Sequence, residues 1–144
     1  MPMLYALLTL LLSGAPTEKP ALVVGAADSP VRLDKATVLI ATDGPPVLLY
    51  AATNLSNDQL EQFTVIAFIF DAQGTLKARQ TAPGRRTLDA HSTKYSTMVL
   101  DGGDLAATDV VVVGVNQAQR VGSDTWWRAD LQAAATAATR PKKP

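Results

Sequence analysis

The 144-residue sequence predicts an all-β antiparallel sandwich of about seven strands, and three observations carry that expectation. Apolar runs of strand length recur from Ala21 to Arg120. Clusters of Gly, Pro, Asn and Asp separate them at short spacing, as turns do. No stretch between Ala21 and Asp124 joins a helical apolar period to capping residues.

The elements follow in order. Residues 1–16 read as an export signal. Met3 to Leu12 is an uncharged, predominantly apolar run, too short for the roughly 20 residues that span a bilayer. Ser13-Gly14-Ala15 supplies small residues where cleavage occurs. No Lys or Arg precedes the run, and Pro16 follows it; a buried N-terminal strand or helix is the competing reading. No cysteine follows the run, so a lipid anchor is not expected. Residues 17–30 form a linker or a first edge strand, Ala21 to Gly25 being the apolar part and Pro30 the break.

The sandwich is expected over residues 31–127. Its strands are Thr37 to Ala41, Val47 to Thr53, Phe63 to Phe70, Thr75 to Thr81, Lys94 to Leu100 and Val110 to Arg120. Asp71 to Gly74 fits a hairpin loop, with Gly74 free to adopt positive φ, so the third and fourth runs pair antiparallel. With the edge run before Val31 and no βαβ alternation, the count and spacing are those of an immunoglobulin-like sandwich. Residues 128–144 change character: Arg128 to Arg140 is Ala-rich and favours a short, fraying helix, and Arg140 to Pro144 reads as a basic disordered tail.

Two features exceed what a plain sandwich needs. Phe63 to Phe70 places Phe63, Val65, Ala67 and Ile69 on one face and Ile66, Phe68 and Phe70 on the other. A strand apolar on both sides is either covered by the protein's own termini and loops or faces a partner. If Trp126 and Trp127 lie on a strand they must point to opposite sides; they close the core or form a binding hot spot. Phe68, Phe70, Trp126 and Trp127 are therefore the candidate binding surface, with Arg85 and Arg86 as its charged flank.

Composition excludes more than it selects. Zero cysteines rule out disulfides, thiolate metal sites and cysteine nucleophiles. Lys plus Arg and Asp plus Glu each number 13, so the chain lacks the positive excess that drives phosphate binding, and no nucleic-acid partner is expected. The basic stretch Lys77, Arg79, Arg85, Arg86 and Lys94 is flanked by acidic ones, either a two-toned surface or ordinary solvated turns. His91, the single histidine, lies in a turn, and no Gly-x-Ser-x-Gly elbow accompanies it. One histidine cannot build a zinc site. Asp101-Gly102-Gly103-Asp104 with Asp109 offers oxygens but not the twelve-residue calcium-loop pattern. No phosphate-cradling glycine motif is present, so neither metal nor cofactor is expected. Asn54-Leu55-Ser56 is a formal glycosylation sequon.

From a strand ending in Asn54, through Ile69-Phe70-Asp71, Gly74 and Leu76 to Leu88, the chain resembles the bacterial FxLYD-type and related immunoglobulin-like domains. Ile69-Phe70-Asp71 stands where the family has Leu-Tyr-Asp, and Ala67 departs from the Phe expected two places before. The resemblance spans roughly Val31 to Arg120 and implies a non-catalytic cell-envelope module. The expected function is an exported binding or structural module that recognises an envelope protein, with no membrane span after signal removal. The alternatives are an envelope-polymer hydrolase using carboxylates and a passive structural domain of a larger assembly.

Overall fold

A computed structural model describes residues 17–82, 87–101 and 104–140. The expected signal at 1–16, the flank Arg85 and Arg86, and the tail beyond Arg140 lie outside these residues.

Among the described residues there are nine strands and one helix: β1 (Thr17–Pro20), β2 (Leu22–Val23), β3 (Val31–Ile40), β4 (Val47–Asn54), β5 (Leu60–Phe70), β6 (Leu76–Thr81), β7 (Thr93–Val99), β8 (Val110–Arg120), β9 (Thr125–Trp127) and α1 (Leu131–Thr139). One sheet runs β1-β3-β4-β7. The other runs β2-β8-β5-β6, with β9 also on β8. Every pairing is antiparallel except the short β2–β8 contact. From β3 onward, the first, second and fifth strands share one sheet and the rest share the other. That is the sheet-switching order of an immunoglobulin-like sandwich.

The sequence runs map onto strands, but β5 starts at Leu60 rather than Phe63, β9 was not among the expected runs, and two further differences are larger. β3 begins at Val31, directly after Pro30, because Val31, Leu33, Ala36 and Val38 keep facing inward past polar neighbours. A bulge between Asp34 and Thr37 shifts the alternation and hid the strand's first half. The polar Thr17–Pro20 segment is also a strand, held by main-chain pairing to β3 rather than by side-chain burial. Gly74 has φ 81° at the β5–β6 hairpin, where the turn needs a residue without Cβ.

The core between the sheets is aliphatic and includes Val38, Leu48, Leu60, Val65, Val111 and Val113, with Tyr50 its largest member. A second cluster lies on the outer face of the β5–β8 sheet: Ile66, Phe68, Phe70 and Val112 beneath Leu131 and Ala135 of α1. Leu131 and Ala135 sit one turn apart on the same helix face. A helix of nine residues is marginal alone, so this packing holds it in place. Gly114 makes the close approach feasible, since a Cβ there would lie 2.5 Å from Leu131 Cδ1 and 3.2 Å from the Val24 carbonyl.

Two buried polar groups organise the ends of the sandwich. Asn54 Nδ2 donates to the carbonyls of Asp58, Leu88 and Asp89 at 2.8, 3.1 and 3.2 Å, while its Oδ1 accepts from the Ser56 amide and hydroxyl. That pins the loops after β4 and before β7 together. At the opposite end, buried Asp109 accepts from Lys77 Nζ at 2.5 Å and from the Ala106 amide at 2.8 Å. Lys19 Nζ reaches the Asp109 carbonyl from β1. Burial raises the Asp109 pKa most strongly of any single influence. The Lys77 and Ala106 hydrogen bonds and the charges of Lys77 and Lys19 together outweigh it and hold the carboxyl below its usual range.

Candidate functional site

The structure separates the residues that sequence reasoning grouped. Phe68 and Phe70 are 1% and 0% exposed, so they are not part of a contact surface. The chain's own C-terminal helix covers them, and burying each ring stabilises the fold by roughly 1.5–3 kcal/mol. Their rings lie 6.4 Å apart, and the Arg79 guanidinium caps the Phe68 ring at 5.9 Å.

Trp126 and Trp127 do alternate across β9. Trp126 packs against the inter-sheet core and donates from Nε1 to Asp28 Oδ2 at 3.1 Å. Trp127 is 67% exposed. The sequence contains the reason: a three-residue edge strand at the end of the sandwich has one covered side and one open side.

Trp126 is the shared wall of a cleft that the sequence did not reveal. On one side lies a cavity of ≈ 250 Å³ between the Val23–Ala27 arm, the start of β3, and Gly114 and Arg128. A second space of ≈ 290 Å³ opens against Asp28, Leu55 and Arg120. A third, ≈ 310 Å³, separates Ala26 and Asp28 from Trp127 and Asp130. Val23 and Leu55 contribute half-open apolar walls at 38% and 47% exposure. Arg128 braces the cleft, donating from Nη1 to the Val24 carbonyl at 3.0 Å and from Nε to Asp130 at 3.1 Å.

The backbone of β9 adds a second element. The Arg128 amide bonds to the Asn116 carbonyl, so the ladder's alternation turns the N–H and C=O of Thr125 and Trp127 away from β8. The outer edge of β9 is therefore not paired by β8, and its exposed Trp127 also lines the third space. This arrangement can hold an extended chain; it presents no paired acid and base.

The other candidates have structural roles. His91 occupies a left-handed turn at φ 56° and its Nε2 lies 2.6 Å from Asn57 Oδ1, linking two loops. The Asp109 carboxylate is engaged by Lys77 and Ala106 and is not open to a cation. Among the described residues, no group of three or more His, Asp or Glu side chains is placed to hold a metal ion. Asn54 is fully buried and its amide is committed to three carbonyls, so the sequon is closed to modification in the folded protein. Sequence reasoning missed Leu55 and the Val23–Ser29 arm; the small residues Gly25-Ala26-Ala27, which leave room beside Trp126, were the available signal.

The fold is thus an all-β, two-sheet sandwich with one short C-terminal helix. No family model matches the chain. No curated protein matches it either. Among solved structures it is similar to the Salmonella enterica trimeric lipoprotein SadB, with a TM-score of 0.43 at 8% identity, over 88% of this chain and 72% of that one. At that level of likeness, function must be read from the chain's own residues. Among the described residues, no helix is long and apolar enough to cross a membrane.

Proposed function

We propose that this chain is an exported, non-catalytic binding module of the cell envelope. It recognises an extended segment of a partner protein along the free edge of β9 and in the cleft beside Trp126. The observation that carries this reading is the coincidence of three features on one short strand: outward-facing main-chain groups, a solvent-exposed Trp127 and an apolar cleft walled by Trp126. Strand addition supplies affinity through main-chain hydrogen bonds and specificity through side-chain pockets, and an aromatic anchor at the centre concentrates the energy. The apolar run Met3 to Leu12, followed by small residues, supports export.

Site-specific photo-crosslinking in the source cells tests the proposal. A photoreactive residue in place of Trp127 should trap a protein through an extended apolar stretch, and Trp126→Ala should abolish the adduct. The same adduct from a photoreactive residue at Lys94, on the far edge of the other sheet, would defeat the proposal. So would an adduct indifferent to Trp126→Ala, or none at all.

A further inference from the structure

The outer face of the β1-β3-β4-β7 sheet carries a second, chemically different cleft of ≈ 580 Å³. Its construction begins with a backbone irregularity. The β3 bulge places Lys35 at φ 55°, a left-handed conformation that a residue with a Cβ adopts only at a cost. Bulges re-aim side chains, and here the Lys35 ammonium is brought 3.2 Å from the Tyr95 hydroxyl and 5.5 Å from the Tyr95 ring centroid, 60 residues along the chain. Tyr95 is nonetheless 69% exposed, so most of its ring remains open to solvent.

Around that ring stand Glu18 of β1, Thr37 of β3 and Thr97 of β7, over an apolar floor at Leu49. Lys35 and Glu18 line the cleft with opposite charges, so its lining carries no net charge to select an anion or a cation. A neutral ligand rich in hydroxyls meets both charges favourably, because the ammonium donates and the carboxylate and threonine hydroxyls accept. Its apolar face would lie on the tyrosine ring, which offers a large, rigid surface at low entropic cost. We infer that this cleft is a carbohydrate-binding site in which Tyr95 is the stacking platform and Lys35, Glu18 and Thr97 contact sugar hydroxyls. The inference is independent of the Trp126 cleft, which lies on the other sheet.

Titration of the full chain with three soluble oligosaccharides, chitohexaose, cellohexaose and maltohexaose, followed by calorimetry or by NMR shifts, tests it. At least one should bind at up to about millimolar concentration. Tyr95→Ala should weaken that binding at least about tenfold, whereas Tyr95→Phe, which keeps the ring, should retain most of it. Lys35→Gly should weaken it several-fold while leaving the fold intact, since glycine adopts the left-handed backbone without strain. Failure of all three sugars to bind, equal loss in Tyr95→Phe and Tyr95→Ala, or binding unaffected by Tyr95→Ala would each overturn the assignment.

Discussion

The two sheets differ most on their outer faces. The β5–β8 sheet buries Ile66, Phe68, Phe70 and Val112 under α1, whereas the β3–β4 sheet leaves Tyr95, Thr97 and Val99 in water. Both faces began as alternating strands. On the first, alternation fails because every residue of β5 from Val65 to Phe70 is buried, and an apolar outer face must acquire a cover. On the second, β7 alternates with Tyr95, Thr97 and Val99 outward, and the β3 bulge adds Lys35 to the open side. The lesson is that a short, weakly helical tail is part of the fold on one face, while the other face is free to carry chemistry.

Breaking the covered face should cost most. Phe70→Ala removes a ring at 0% exposure and should destabilise the protein by about 3–5 kcal/mol in chemical unfolding. Leu131→Ala, which deletes the helix's one large anchor, should cost about 2 kcal/mol and release α1, read as lost helical amide protection in hydrogen exchange. Gly114→Ala should cost about 1–3 kcal/mol, because its Cβ collides with Leu131 and crowds the Val24 carbonyl. Combined with Leu131→Ala, the same change should cost distinctly less than the sum, since the colliding atom is gone. On the open face, Tyr95→Ala should alter stability by no more than about 0.5 kcal/mol.

The Asp109 cluster sharpens the picture through pH. Its carboxyl pKa is depressed in the folded state, so its contribution is present above the ordinary aspartate value of about 3.9 and is lost as pH falls through the lower folded value. Urea unfolding across roughly pH 5 to pH 2 should show stability declining toward acid, with a shallower decline in Asp109→Asn. An unchanged slope in that variant would mean the cluster contributes nothing to acid sensitivity.

Much of this was legible in local pattern. The two faces of Phe63 to Phe70 separate into the two hydrophobic clusters as period-two spacing requires. Val110 to Arg120 and the Gly74 hairpin stand where turn residues put them. β1 was not legible because main-chain pairing leaves no side-chain signature. The candidate surface was legible in part: alternation predicts that Trp126 and Trp127 diverge. It cannot say that Phe68 and Phe70, equally apolar, lie under a helix.

From sequence alone came the strand periodicity, the all-β class and the demand that the outer face of β5 meet either the chain's own segments or a partner, since these depend on which residues neighbour each other along the chain. The tertiary structure decided the rest: that α1 provides the cover, that Trp126 meets an arm 98 residues away through Asp28, and that Lys35 reaches Tyr95. Those contacts join segments whose proximity is set by how the sheets stack and which edges remain open. Nothing in local spacing encodes that geometry.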